Sequence, residues 1–236
     1  MNIESEPDPV TGQPIGPPVD STPAKRPEPV TLAGRYGRIE RLAQHHDAAL
    51  WKAVAGHDEI WTYMSYGPFA DQAAFSTWIA SRLALEDPYS YAILDPSGRA
   101  VGIATLMEIR PAMRVIEVGN ILYSPALMHT PLGTEAQYLL ARYAFATLGY
   151  RRYEWKCNAL NAPSRRAALR YGFVFEGIFR QHMITRGRNR DSAYFSMLDG
   201  EWPARKVAFE KWLAPDNFDA DGKQKVSLSR LNGAAF

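Results

Sequence analysis

One stretch of the chain combines side chains that can start a helix, form hydrogen bonds and contact phosphate groups. It reads Asn161-Ala162-Pro163-Ser164-Arg165-Arg166, and Gly172-Phe173 and Glu176-Gly177 follow it. Asn161 and Ser164 can cap free backbone N–H groups, and Pro163 is tolerated in a first helical turn. Gly172 is the expected helix end, since glycine takes a left-handed conformation at no steric cost. The stretch predicts a helix over residues 163–171. Arg165 and Arg166 could reach phosphate groups, and exposure to solvent is the alternative for both.

His182 is a second candidate for chemistry, on the strand predicted after that helix. An imidazole with a pKa near 6.5 can take a proton from an ammonium group. Side chains alternate along a strand, so His182 should face away from Met183. A purely structural histidine is the alternative.

The string Asn-x-x-Ser-Arg-Arg followed by Gly-Phe-x-x-Glu-Gly resembles the GNAT superfamily of N-acetyltransferases, and within it the RimJ/RimL-type amine acetyltransferases. The resemblance covers about residues 30–213 and implies an acetyl-CoA-dependent enzyme with a mixed sheet splayed between its central strands. It also implies that Ser164 donates a proton to the leaving thiolate and that Asn161 touches the pantetheine arm. Ser164 as a plain helix cap is the alternative.

The chain departs from the family pattern at two catalytic positions. Many GNAT enzymes use a tyrosine as the acid, where this chain has Ala168. The RimL pattern has a glutamate seven residues after Glu176, where this chain has Met183. The familiar base is therefore missing from the place where the resemblance would put it.

Composition limits the classes of protein that the chain can belong to. It has 236 residues, 46% of them hydrophobic, which suits one domain with a substantial core. Lys+Arg 27 against Asp+Glu 25 argues against general nucleic-acid binding, which needs a clear basic excess. One cysteine, Cys157, excludes an internal disulfide and a cysteine-based zinc site, and we expect no metal. With no secretory signal or membrane-spanning run, we expect a cytoplasmic protein without membrane contact, a monomer or homodimer.

Strand and helix patterns alternate along the chain and predict an α/β fold. We expect a mixed, mostly antiparallel twisted sheet flanked by helices, over residues 30–213. Residues 1–29 are rich in proline and acidic side chains, which predicts a disordered or loosely packed arm. Residues 214–236 are predicted to form a polar tail.

The loop from Met128 to Thr134 leads into a predicted helix and is the candidate cofactor site. A helix N-terminus with free N–H groups can bind a pyrophosphate. Among GNAT proteins this loop usually reads Gln/Arg-x-x-Gly-x-Gly/Ala; here only Gly133 is kept, and Pro131 removes one donor. An ordinary strand-to-helix connection is the alternative. The cofactor contacts that the family resemblance implies lie on this loop, on the preceding strand and on the helix of the first motif: Leu122, Tyr123, Thr130, Leu132, Gly133, Thr134, Asn161 and Arg166.

Two segments could contact the acceptor. The run Trp61-Thr62-Tyr63-Met64-Ser65-Tyr66 lies where GNAT proteins cover the acceptor site, and Trp61, Tyr63 and Tyr66 could stack on a ring. Rings that fill the core are the alternative. Phe179 and a basic hairpin at 186–191 belong to a stretch that resembles the acetyltransferase domain of microcin-C immunity proteins. Those proteins acetylate the α-amine of an aminoacyl-nucleotide analogue.

The leading hypothesis is transfer of acetyl from acetyl-CoA to a primary amine, by direct attack in a ternary complex. A small aminoacyl or amino-acid-like amine ranks ahead of a protein N-terminus as the acceptor. A non-catalytic acyl-CoA-binding module and a nucleotide-binding module remain open alternatives.

Overall fold

The computed structural model describes residues 4–233, so the outermost residues of both expected tails lie outside it. Ten strands and six α-helices occur in that range. The strands are β1 (Glu6–Pro7), β2 (Pro14–Ile15), β3 (Leu32–Ala33), β4 (Arg38–Arg41), β5 (Tyr89–Leu94), β6 (Ala100–Arg110), β7 (Val115–Tyr123), β8 (Arg152–Asn158), β9 (Val174–Thr185) and β10 (Arg188–Leu198). The helices are α1 (Asp47–Val54), α2 (Gln72–Leu83), α3 (Pro131–Arg142), α4 (Ala162–Tyr171), α5 (Trp202–Leu213) and α6 (Leu228–Leu231).

Eight of these strands form one sheet, in the order β3-β4-β5-β6-β7-β8-β10-β9. All neighbours are antiparallel except β7 and β8, which run parallel and pair only from Val115 with Arg152 to Glu117 with Glu154. Beyond Glu117, β7 pairs only with β6, and beyond Glu154, β8 pairs only with β10. The predicted mixed, mostly antiparallel sheet and its central splay are therefore confirmed.

The two faces of the sheet pack against different helices because side chains alternate along each strand. On β6, Ala104 and Leu106 belong to the core shared with α3 and α5, whereas Ile103 belongs to the core under α1 and α2. The smaller core contains an aromatic cluster that includes Trp61, Phe75 and Trp78. Helices α1 and α2 contact β5 and β6, so they cover one side of this face.

Helix boundaries follow local capping chemistry. Helix α4 ends at Gly172, whose φ of 91° is the left-handed conformation that glycine allows, as predicted. Helix α3 begins at Pro131, because Thr130 caps it and proline suits a first turn. A π-helical turn over Tyr143–Thr147 continues it.

Both terminal segments contact the domain. In the N-terminal segment, Ala24 N donates to Pro111 O and Lys25 N donates to Leu148 O. After α5, Leu228 is fully buried, and Asn232 donates through Nδ2 to Arg170 O on α4. The segment that was predicted to form a polar tail packs on α4 and α5. It does so through the buried Leu228 of α6, which the mainly polar composition of the segment did not indicate. No helix in the described residues is long and apolar enough to cross a bilayer.

Candidate active site at the splay

The gap between β7 and β8 brings most of the predicted cofactor residues to one place. Leu122 and Tyr123 pair with β6 through Ile103 and Gly102, so their other backbone edge faces the gap. The Leu122 side chain is 1% exposed, which leaves only its backbone available to a ligand. An extended, peptide-like molecule could enter here and hydrogen-bond with β7.

The first turn of α3 offers fewer donors than a usual helix N-terminus. Thr130 Oγ1 accepts from Gly133 N at 3.2 Å and donates to Leu127 O at 2.7 Å. Pro131 has no N–H. In the first turn, the backbone N–H of Leu132 has no acceptor among the described residues. The Leu132 side chain is buried, so only this N–H is available to a ligand. Anion binding at this turn therefore depends on one backbone N–H and on nearby cations.

Gly133 is required by the close approach of Tyr123. A Cβ at this position would lie 3.1 Å from the Tyr123 ring and 3.0 Å from Leu127 O. The Tyr123 hydroxyl donates to Gly133 O at 2.6 Å and accepts from Gln137 Nε2 at 2.8 Å. Tyr123 thus connects the strand beside the gap to the first turn of α3 through its side chain.

One arginine on α4 contacts the start of α3, and a second lies one turn earlier on the same helix. Arg170 donates through Nη1 to Thr134 Oγ1 at 3.0 Å, so the buried Thr134 side chain is already engaged. Burial lowers the pKa of Arg170. Arg166 lies one helical turn earlier and is exposed. The sequence reading missed Arg170, although its i,i+4 spacing from Arg166 indicates a shared face.

Ser164 is not the cap of α4. The cap is Asn161, whose Oδ1 accepts from Ser164 N at 3.1 Å. The Ser164 hydroxyl instead accepts from Trp155 Nε1 at 3.0 Å. Trp155 lies on β8 just beyond the last residue that pairs with β7, beside the gap. The hydroxyl oxygen accepts this bond and keeps its own hydrogen, for which the buried Cys157 sulfur is a neighbouring acceptor.

Glu117 is a functional group that the sequence reading missed. It lies at the last position where β7 pairs with β8, and it is 5% exposed. Lys156 Nζ lies 2.9 Å from Glu117 Oε2 and 3.3 Å from Glu154 Oε2. Burial raises the pKa of Glu117 to about 7, and the charge of Lys156 opposes this rise. A single charged residue within a mostly apolar strand was the available sequence signal.

His182 and Phe179 meet beside this ion pair. His182 Nδ1 lies 2.9 Å from Ser192 Oγ, and its Nε2 lies 3.2 Å from the Tyr194 hydroxyl. The Phe179 ring stacks on Tyr194 with centroids 4.0 Å apart. Lys156 Nζ is 5.2 Å from the centroid of the Tyr194 ring. Because Lys156 also contacts Glu117, the stacked rings of Phe179 and Tyr194 lie next to that carboxylate.

The aromatic segment before α2 has three different roles. Trp61 is 2% exposed and packs edge-on against Phe69 and Trp78, so its predicted contact with the acceptor is wrong. Its ring instead belongs to the core cluster that α1 and α2 form on the sheet. Tyr66 lines a cleft, and Tyr63 donates through its hydroxyl to Leu160 O at 3.1 Å.

A cluster of Glu40, His45 and His46 has the composition of a metal site. His46 Nδ1 accepts from Ala43 N at 3.0 Å, so the neutral ring carries its proton on Nε2, which lies 3.0 Å from Glu40 Oε1. Arg38 Nε donates to Glu40 Oε2 at 2.9 Å. The Glu40 carboxylate therefore already accepts hydrogen bonds from two side chains, Arg38 and His46.

Comparisons with known proteins agree with this geometry. The family model described as an acetyltransferase (GNAT) domain matches residues 38–174. A GCN5-related N-acetyltransferase from Brucella melitensis is 46% identical, with a TM-score of 0.89, covering 91% of this chain and 99% of its own. A GNAT-family protein from Chromobacterium violaceum is 41% identical, with a TM-score of 0.75, covering 82% and 100%. RimL, a ribosomal L7/L12 alpha-N-protein acetyltransferase, shares the fold at 18% identity and a TM-score of 0.62, covering 72% and 94%. No curated protein matches the sequence.

The splayed mixed sheet, with a helix N-terminus beside its gap, is the fold of the acetyltransferases that match this chain. The chain belongs to the GNAT acetyltransferase family, and it is an enzyme of acyl transfer. Members of this family take their acetyl group from acetyl-CoA.

The raised pKa of Glu117 predicts a specific change of stability with pH. Between about pH 4.5 and 7, folded protein keeps a proton on Glu117 that the unfolded chain has released. The free energy of unfolding should therefore fall as pH rises, by at most about 1.4 kcal/mol per pH unit. Glu117→Gln has no proton to bind and should lack this fall, measured by urea denaturation from pH 5 to 8. The exposed Glu59→Gln is the control, and parallel curves for all three proteins would contradict the assignment.

Proposed function

We propose that the protein transfers acetyl from acetyl-CoA to a primary amine by direct attack in a ternary complex. The observation that carries the proposal is the position of Glu117, a buried carboxylate at the point where β7 and β8 separate. The acceptor is a small aminoacyl or amino-acid-like amine.

The donor side would be held by backbone and cationic groups around the gap. Leu132 N–H and the guanidinium groups of Arg166 and Arg170 suit the phosphates. The free edge of β7 at Leu122 and Tyr123 suits the amides of a pantetheine arm. When bound, acetyl-CoA supplies an activated thioester, and a backbone N–H of β7 can hydrogen-bond to its carbonyl oxygen.

Glu117 and Ser164 would handle the protons from opposite sides of the gap. An ammonium group must lose a proton before its nitrogen can attack, and a carboxylate with a pKa near 7 can accept that proton at neutral pH. Lys156 remains charged because Glu117 and Glu154 raise its pKa against the effect of burial. The Ser164 hydroxyl can turn its hydrogen from the neighbouring Cys157 sulfur to the leaving sulfur and protonate it, while Trp155 holds the hydroxyl oxygen.

The stacked pair of Phe179 and Tyr194 supports an acceptor with a flat or apolar group beside its amine. These rings form a wall next to Lys156, and His182 holds the Tyr194 hydroxyl in place. The resemblance to microcin-C immunity acetyltransferases favours an aminoacyl-nucleotide-like acceptor. The RimL likeness, which is one of fold, makes a protein N-terminus the second acceptor to test.

A thiol-release assay tests the proposal directly. Purified protein with acetyl-CoA should release free CoA on at least one member of a panel of aminoacyl-adenylate analogues, amino acids, polyamines and N-terminal peptides. Calorimetry with CoA alone separates the outcomes. CoA binding without turnover on any amine would make the protein a non-catalytic acyl-CoA-binding module, and affinity for adenosine phosphates unaffected by pantetheine would make it a nucleotide-binding module.

Replacing Ser164 by alanine tests its role as the proton donor. We expect kcat to fall more than tenfold, because the leaving thiolate loses its acid, with CoA affinity nearly unchanged. Trp155→Phe is the matched variant: it keeps an aromatic ring but removes the indole N–H that holds the Ser164 hydroxyl, so a smaller loss is expected. A wild-type rate for Ser164→Ala would remove the assigned role.

Glu117 and His182 can be distinguished as bases by their pH profiles. Glu117→Gln should lower kcat/KM by about 10²- to 10⁴-fold and should abolish the rise of the rate towards pH 7. His182→Gln should keep that rise, since we assign His182 to positioning Tyr194. Loss of the rise in His182→Gln, with its persistence in Glu117→Gln, would make His182 the base instead.

A further inference from the structure

The sheet ends on one side in a long strand that is open on both faces and along its backbone edge. Strand β9 is the last in the strand order, and among the described residues it pairs only with β10. Each of its twelve residues is exposed or half-buried. The opposite edge is β3, whose two residues offer little backbone to a partner. Because native proteins usually shorten or cover a long edge strand, β9 has the features of an interface.

Large apolar side chains are concentrated around this edge. Six lie on β9 and one on β10, with exposed fractions between 41% and 84%: Val174, Phe175, Ile178, Phe179, Met183, Ile184 and Leu198. At roughly 150 to 200 Å² for a fully exposed side chain of this size, they leave about 600 Å² of apolar surface open in one copy. That area is at the upper end of what monomers expose. Two copies together reach the lower limit of about 1,200 Å² for a stable interface.

A short regular stretch in the middle of β9 can pair with a second strand. The register with β10 shifts on either side of the pairs from Gly177 with Tyr194 to Phe179 with Ser192. The outer backbone edge of this stretch has no partner strand in residues 4–233. Two identical strands can pair antiparallel about a two-fold axis. With the axis at Ile178, Gly177 of each copy lies opposite Phe179 of the other, so side chains on the same face meet.

Charges at the two ends of the β9–β10 hairpin fit the same arrangement. Arg186 and Arg188, at its turn, are exposed, and no carboxylate in residues 4–233 lies within ion-pair distance of them. Asp199, just after β10, is exposed and has no cation within that distance in the part of the chain that the structure describes. Ala193 is the β10 partner of Ile178. Arg188 lies five residues before it and Asp199 six residues after it. A two-fold axis at Ile178 therefore brings the basic turn of each copy level with Asp199 of the other.

We propose that β9 is the interface of a homodimer, in which two copies pair edge to edge and antiparallel about a two-fold axis at Ile178. The two eight-stranded sheets then form one continuous sheet. A two-fold interface uses the same surface in both copies, so one open edge is sufficient when the partner is a second copy of this chain. The pairing also bears on the acceptor wall. Phe179 and His182 lie on β9 and line an open depression, which the second copy would border.

Substitution at the axis tests the interface. Ile178→Lys adds a charge to an exposed position of the single copy, whereas in the dimer it sets two like charges against each other. The wild-type protein should sediment as a dimer at about 100 μM, since interfaces near this size bind with micromolar or tighter affinity. In Ile178→Lys the dissociation constant should rise at least about 100-fold, measured by analytical ultracentrifugation. The control is Met113→Lys, at an exposed methionine between β6 and β7, which should remain dimeric.

A mixing experiment tests the position of the axis. Ile178→Glu should also be monomeric, because it sets two carboxylates against each other. An equimolar mixture of I178K and I178E should recover the dimer, because the axis places residue 178 of one copy beside residue 178 of the other and the charges are then opposite. Two monomeric variants that stay monomeric on mixing would overturn the axis at Ile178.

Hydrogen exchange on the wild-type protein tests the edge without any substitution. The outer backbone N–H groups between Gly177 and Phe179 should exchange slowly in the dimer and faster after dilution below the dissociation constant, with the interior strand β6 as the control. A wild-type protein that is monomeric at about 100 μM, or a dimer that Ile178→Lys leaves intact, would overturn the proposal. None of these measurements depends on turnover, so they stand or fall separately from the proposed function.

Discussion

The separation of β7 from β8 is the constraint on which the rest of the molecule depends. Two parallel strands that pair over three residues and then diverge leave backbone groups without partners inside a sheet, an arrangement that costs free energy unless a ligand completes it. The helices on either side keep the gap open. Tyr123 fixes the start of α3 to β7 through Gly133, while Trp155 fixes Ser164 of α4 to β8. The gap is thus a structural feature built by the same residues that would serve the ligand.

Burial explains why the ionisable groups at this gap differ from ordinary surface charges. Glu117 and Lys156 are largely removed from water, so the charge of each depends on the other. Glu154 supports the charge of Lys156 but opposes that of Glu117, because two carboxylates repel each other. A buried pair of this kind adds little to stability compared with apolar residues. It does provide a carboxyl group whose protonation changes near neutral pH. Glu117 therefore contributes little to the stability of the fold, but its carboxyl group can gain or lose a proton near neutral pH.

The sequence predicted the sheet and the helix after Asn161 well, because hydrophobic periodicity and capping residues are local signals. It predicted side-chain roles less well. Ser164 and Asn161 both suited the cap, and only the structure shows that Asn161 occupies it. The sequence around Trp61 did not indicate which rings point into the core, because this depends on how α1 and α2 pack on the sheet. Glu117 escaped notice because its significance comes from Lys156, thirty-nine residues away in the chain and adjacent only after folding.

The hydrogen bond from Tyr63 to Leu160 has a consequence for access to the gap. It joins the segment before α2 to the loop that precedes Asn161, on the side where we propose that the acceptor binds. A single neutral hydrogen bond contributes about 1 kcal/mol, which favours a closed arrangement over an open one by only about five to one. Opening this contact requires no change in the sheet or in either core. An acceptor could therefore enter during ordinary thermal fluctuation, and the entrance would spend most of its time shut against water.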